Sequence, residues 1–102
     1  MNGTKFVDVA TTYDSSMALD SEGNLWVWGY NLYGQLGTGS TNQISIPTKL
    51  NTTIKIKSIY GVERVFYIID NDNNLWGCGY NHSGFLGDGT SNNSYEFIKI
   101  TD

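Results

Sequence analysis

The sequence predicts an all-β chain made of two four-stranded β-propeller blades. Three observations carry that expectation. The chain repeats itself at an interval of fifty residues, each copy reads as short strands separated by turns, and no segment shows helical spacing with caps. Four short strands per fifty residues is the pattern of a propeller blade. Two blades cannot close a ring by themselves, so the expected fold includes completion of the ring by several identical chains.

The repeat is without gaps. A shift of fifty aligns Asp20 with Asp70, Asn24 with Asn74, Leu25 with Leu75 and Trp26 with Trp76. It goes on through Gly29 and Gly79, Tyr30 and Tyr80, Asn31 and Asn81, and Gly34 and Gly84. Leu36 and Leu86, Gly37 and Gly87, and Gly39 and Gly89 complete eleven identities between positions 20 and 39. The flanks agree in character, with Phe6 and Val9 over Ile56 and Ile59 and Ala18-Leu19 over Ile68-Ile69. The expected units are residues 1–52 and 53–102.

Within the first unit, Lys5 to Ala10 alternates as a strand, and Ser16 to Leu19 is a short apolar run. Leu25 to Trp28 is aromatic and β-branched, and a last strand is expected around Pro47 to Leu50. Asp20 to Asn24 reads as the hairpin turn between the second and third strands, with Gly23 free to take a positive φ. In the second unit Asn73-Asn74 fills that turn, and Asn is the next most tolerant residue there. At the other end of the third strand, Gly29 and Gly79 let the chain turn away without a Cβ. Asn31 and Asn81 are placed to bond backbone in the tight loop that follows. Leu36 and Leu86 are expected to plug the space between blades, and Trp26 and Trp76 to pack in the core.

The run Trp28-Gly29-Tyr30-Asn31-Leu32-Tyr33-Gly34-Gln35-Leu36-Gly37-Thr38-Gly39 resembles the signature of the regulator of chromosome condensation repeat family. Its second copy runs from Cys78-Gly79-Tyr80-Asn81 to Gly84-Phe85-Leu86-Gly87-Asp88-Gly89. The resemblance implies one four-stranded blade per repeat, in rings that usually hold seven. Identical two-blade chains reach only even numbers: three chains give six blades and four give eight. The carboxy-terminal strand, Phe97 to Ile100, is expected to complete a blade begun by Phe6 to Val9 of the next chain. The family's name-giving member is a nucleotide-exchange factor that docks on chromatin. That activity uses loops projecting from the blades, and here the two copies align without an insertion.

Composition narrows the function classes. Ten acidic residues against six basic ones, a net charge of −4, disfavour a surface that grips phosphate backbones or docks on the acidic face of chromatin. No apolar run reaches the ~20 residues of a membrane span; the longest candidate is Val65 to Ile69. Neither nucleic acid nor membrane is therefore expected as a partner. The first ten residues lack the layout of a secretory signal, so the cytoplasm is the expected location, with export as an effector left open. Four Asn-x-Ser/Thr sequons, at Asn2, Asn51, Asn81 and Asn92, add little in a chain so rich in Asn, Ser and Thr.

Catalytic and metal patterns fail on their own chemistry. The string Gly34-x-x-Gly37-x-Gly39 precedes no helix, and a phosphate cradle needs one. Asp70 to Asn74 opens like a calcium loop, but Leu75 stands where a glycine belongs and Asn81 where a bidentate Glu belongs. Cys78, the one cysteine, takes the strand position of Trp28 and reads as a small buried apolar group. His82, the one histidine, has no third partner for a triad. No enzyme, metal or cofactor is expected.

The repeated Trp, Gly, Asn and Leu residues are read as scaffold. Aromatic residues that do not repeat are better candidates for a surface, because the fold does not demand them. Tyr13, Tyr33, Tyr60 and Tyr95 do not repeat, and Tyr33, Tyr60 and Tyr95 are chosen as binding residues, together with the loop residues His82 and Asp88. The leading expectation is a non-enzymatic platform for an unknown protein ligand. The alternatives are an oligomer that holds small molecules or carbohydrate in inter-chain or channel pockets, and an exchange-factor-like effector.

Overall fold

In a computed structural model the described residues are 3–81 and 93–100. They form eight strands in two antiparallel sheets, with no helix among them. The first sheet contains β1 (Phe6–Thr11), β2 (Ser15–Asp20), β3 (Leu25–Gly29) and β4 (Ile44–Lys49), in that order. The second repeats the order with β5 (Ile56–Val62), β6 (Val65–Asp70), β7 (Leu75–Gly79) and β8 (Ser94–Ile100). Even the irregularities repeat. The register shifts between Phe6 and Asp8 and again between Ile56 and Ser58, then between Val27 and Gly29 and again between Gly77 and Gly79.

Two expectations are corrected. The fourth strand begins at Ile44, before Pro47, because β4 lies at the sheet edge and proline there removes no ladder bond the sheet needs. The closing strand is not lent to another chain: β8 pairs with β7 through Leu75↔Ile100, Trp76↔Lys99 and Gly77↔Ile98. Each sheet takes all four strands from one continuous segment.

The core lies between the sheets. Period-two alternation sends Met17, Leu19, Leu25 and Val27 of the first sheet to the same side as Ala10. Ile59, Phe66, Ile68 and Cys78 of the second sheet meet them there, with Leu36 inserted as the sequence predicts. The two innermost strands approach most closely. β5 runs against β1 so tightly that a Cβ on Gly61 would overlap the Thr11 carbonyl. Just beyond, the Tyr13 amide donates to the Glu63 carbonyl at 2.8 Å, joining the two inner hairpin turns directly.

The loop after β3 carries the contact outward. Asn31 is buried; its side-chain carbonyl accepts from the Leu36 amide, and its amide group donates to the Ser40 and Asn42 carbonyls. Gly34 and Gly37 hold φ of 74° and 72°, and a Cβ on either would strike Tyr95 or Phe97 of β8. The fully buried Gln35 bonds in both directions. Its side chain accepts from the Tyr33 amide and donates to Ser15, while its carbonyl accepts from the Cys78 thiol at 3.2 Å.

Two outcomes follow from this packing. Gly61→Ala lowers stability by about 1–3 kcal/mol, because backbone cannot yield as a side-chain tip can; the measurement is the urea midpoint against the unchanged chain. Cys78 is fully buried and its thiol is pushed well up by that burial. A thiol reagent therefore labels the native chain orders of magnitude more slowly than the urea-unfolded chain, and fast labelling of the native chain contradicts the sealed junction.

Candidate protein-binding surface

The two ends of the sheets differ in chemistry. At one end, each β-hairpin turn after the second strand closes on an aspartate. Asp20 Oδ1 accepts the amides of Glu22 and Asn24, and its Oδ2 accepts the Trp26 indole N–H at 3.0 Å. Asp70 repeats this with Asp72, Asn74 and Trp76, the indole again at 3.0 Å. The sequence aligns these aspartates but does not reveal their role; the signal is an Asp six residues before a Trp in both copies. The expected core place of the tryptophans is corrected: both are half-buried, Trp76 against the core edge and Trp26 on the other face of its sheet, edge-on to Phe6 at 6.0 Å, because each N–H is held at the turn by its aspartate.

Partial burial pushes the Asp20 carboxyl up, but the Trp26 indole outweighs it together with the Asn24 and Glu22 donors, so the carboxyl sits below its ordinary value. For Asp70 the Trp76 indole is the largest influence, followed by the Asn74 amide, and they bring the carboxyl down from 3.8 to about 2. These carboxylates are engaged as acceptors for turn and indole, which is a structural task. Among the described residues no group of three His, Cys, Asp or Glu is placed to hold a metal.

The opposite end gathers aromatic rings around the chain's single arginine. Arg64, in the β5–β6 turn, lies with its guanidinium carbon 5.1 Å from the Tyr13 ring centre and 5.5 Å from that of Tyr33. The Tyr33 ring meets Tyr80 edge-on at 4.9 Å. Tyr13 donates its hydroxyl to the Glu63 carboxylate at 3.2 Å, and Glu63 makes the turn with a φ of 52°. Two hairpin turns and two post-strand segments, from both sheets, thus build one patch across the junction. Cation–π contact with two rings fixes the place of the guanidinium within the patch.

Of the residues singled out from sequence, Tyr13 and Tyr33 lie in this patch. Tyr95 is next door on β8, its ring over Gly34. Tyr60 is elsewhere: it is half-exposed on β5, paired across the strands with Tyr67 on the outward face of the second sheet. His82 and Asp88 lie outside the described residues, as do the motif positions Gly84, Leu86 and Gly87. Arg64, Tyr80 and Glu63 were not singled out by sequence. Tyr80 repeats Tyr30 and so passes for scaffold, whereas Arg64 replaces Asp14 of the first copy, a departure from the repeat that marks it.

Two sequence models described as the regulator of chromosome condensation (RCC1) repeat match the chain, one over residues 22–61 and one over residues 6–35. Together they run from residue 6 to residue 61, more than half of its length. The chain belongs to the RCC1-repeat family. The longer match starts in the β2–β3 turn and ends in β5, so the RCC1 repeat as counted in sequence straddles the two sheets.

Solved structures agree on the fold. Yeast RCC1 (Prp20) bound to Kap60 superimposes with a TM-score of 0.92 over 100% of this chain at 16% identity. Prp20p from Saccharomyces cerevisiae, described with its binding to Gsp1p and histones, gives 0.92 over 100% at 17% identity. Human WBSCR16 gives 0.83 over 97% at 24% identity. The chain spans about a quarter of the length of each of these proteins, 26%, 27% and 26% respectively. It is two blades of an RCC1-like β-propeller.

The aspartate turns carry a pH signature. A carboxyl whose folded value lies below its unfolded one, about 4, stabilises the fold above that pH and loses the contribution as pH falls towards 2. The melting temperature therefore drops steeply between pH 4 and pH 2. Asp70→Asn is less stable at pH 7 and shows a shallower acid slope; parallel slopes for the two proteins contradict the assignment.

Proposed function

We propose that this chain is a non-enzymatic protein-binding module, several copies of which assemble a ring of six or eight blades. The observation that carries the binding role is the Arg64 patch. An arginine held between two tyrosines, with a third ring behind, concentrates the side chains that dominate protein interfaces. Their geometry is set before a partner arrives, which reduces the ordering lost on binding. The likeness to yeast Prp20, a protein seen bound to Kap60 and described as binding Gsp1p and histones, supports a partner that is protein.

Scaffold chemistry supports the non-catalytic part. The recurrent polar residues are spent on turns and loops: Asp20 and Asp70 on indoles and amides, Asn31 on four loop partners, and Gln35 on the sheet junction. In this reading the module takes no cofactor, works in the cytoplasm, avoids nucleic acid through its net negative charge, and has no membrane partner.

The test is affinity capture with chemical cross-linking, comparing the unchanged chain with Arg64→Ala combined with Tyr33→Ala. Loss of an anchor pair of this kind weakens binding by about thirtyfold or more, equivalent to ~2 kcal/mol, while the melting temperature shifts little. Equal retention of the same proteins by both chains rejects the patch as the binding surface.

A further inference from the structure

The repeat allows the two outward sheet faces to be compared, position by position, with the two faces already joined inside the chain. Inside, the first sheet contributes Met17, Leu19, Leu25 and Val27, and the second contributes Ile59, Phe66, Ile68 and Cys78. A shift of fifty carries the first set to Tyr67, Ile69, Leu75 and Gly77, on the outward face of the second sheet. The same shift carries the second set to Val9, Ser16, Ala18 and Trp28, on the outward face of the first.

The contrast in exposure is large. Leu25 is 0% exposed and its counterpart Leu75 is 37%; Ile59 is 3% exposed and its counterpart Val9 is 60%, while the small Ala18 and Gly77 are already covered. Both outward faces therefore carry apolar residues at positions that are sealed when a neighbouring sheet is present. Burying such area is the main gain available to the second sheet face, as it is to the first.

Size, more than apolarity, identifies the occupant. Cross-strand partners on β2 and β3 are Met17↔Val27 on the inner face and Ser16↔Trp28 on the outer one. On β6 and β7 they are Phe66↔Cys78 on the inner face and Tyr67↔Gly77 on the outer one. If the outward face of the second sheet stacks on the outward face of the first in the arrangement of the internal junction, the Tyr67↔Gly77 pair is brought to the face that carries Ser16↔Trp28. Each of these pairs joins one large and one small residue. Inside the chain the equivalent pairs are Met17↔Val27 and Phe66↔Cys78, so between copies Ser16 and Gly77 leave room beside Trp28 and Tyr67. A volume-conserving exchange of this kind is what a packed interface tolerates.

One position breaks the equivalence. Inside the chain Gly61 lets β5 rest on the Thr11 carbonyl. Between copies, residue 11 takes the place of Gly61, and it is a threonine. The junction between copies must stand wider at its inner strand than the internal junction does.

We propose that a second copy of this chain docks head-to-tail, its Val9–Trp28 face on the Tyr60–Tyr67–Leu75 face, through a size-swapped junction held wider by Thr11. This rests on the self-assembly in the functional reading above and specifies its interface. The assembled ring then alternates two kinds of junction, a tight one within each chain and a looser one between chains. The looser one governs dissociation.

Sedimentation velocity and light scattering over a range of concentrations test this with four variants. The unchanged chain gives the mass of three or four copies and dissociates on dilution. Val9→Lys spoils one face and Leu75→Lys the other, so each alone is monomeric while circular dichroism confirms its sheets. An equal mixture of the two forms a dimer through the one pair of intact faces, a result that only head-to-tail docking produces. Thr11→Gly lowers the dissociation midpoint about tenfold. Tyr60→Glu, at a half-exposed position on the same face, repeats the Leu75→Lys result should that variant fold poorly. A monomer at every concentration, no dimer in the mixture, or a Thr11→Gly chain that assembles no better overturns the proposal. Capture of a protein through the Arg64 patch by a monomeric chain leaves the binding role standing without the assembly. Assembly with no Arg64-dependent capture has the opposite meaning.

Discussion

The segment from Asn31 to Ser40 belongs to the first sheet by sequence and to the second by packing, and the fold depends on that double membership. Asn31 folds the loop upon itself, Leu36 and Gln35 enter the junction, and Gly34 and Gly37 let Tyr95 and Phe97 of β8 approach where a Cβ would block them. A sheet with one face uncovered leaves apolar area in water, and this loop together with the opposed sheet covers it. Gln35 is the sharpest instance. Its side chain satisfies Ser15 of its own sheet and its carbonyl takes the Cys78 thiol of the next, so a fully buried polar residue is left with its bonds made.

Junction and turn tasks divide the polar residues between the two ends. At one end Asp20 and Asp70 gather amides and an indole, a charge-assisted arrangement that holds tight turns without a metal or a partner. The other end joins neighbouring hairpins by the Tyr13–Glu63 bond between repeat-equivalent positions, and there the two copies differ in chemistry: Glu63 for Tyr13, Arg64 for Asp14. The backbone bond that joins the turns requires no particular side chain at these positions. That freedom makes the Arg64 end a place where binding specificity can be written on a conserved geometry.

Much of the scaffold was legible from the chain alone. Strand periodicity and the glycine–asparagine loop place all eight strands to within a few residues, and Gly23 and Asn73 take the positive φ expected of their turn. Legibility fails for residues whose partners are distant in sequence. Tyr33 is suggested because it does not repeat, yet its neighbours Arg64 and Tyr80 are more than thirty and more than forty residues away. Pro47 is read as the beginning of a strand, yet it lies inside β4, which an edge position allows.

By itself the sequence determined a two-fold repeat of four short strands, the turns between them and the chemistry of the loop, since these are local consequences of side-chain period and backbone freedom. Tertiary structure decided which faces meet. It gave Gly61 its purpose against Thr11, placed Cys78 beneath Gln35, drew Arg64 between two tyrosines, and left Tyr60, Tyr67 and Leu75 on an outward face. Alternation along a strand separates two faces but is blind to which one is covered. Burial is a property of the neighbouring sheet, and only packing in three dimensions assigns it.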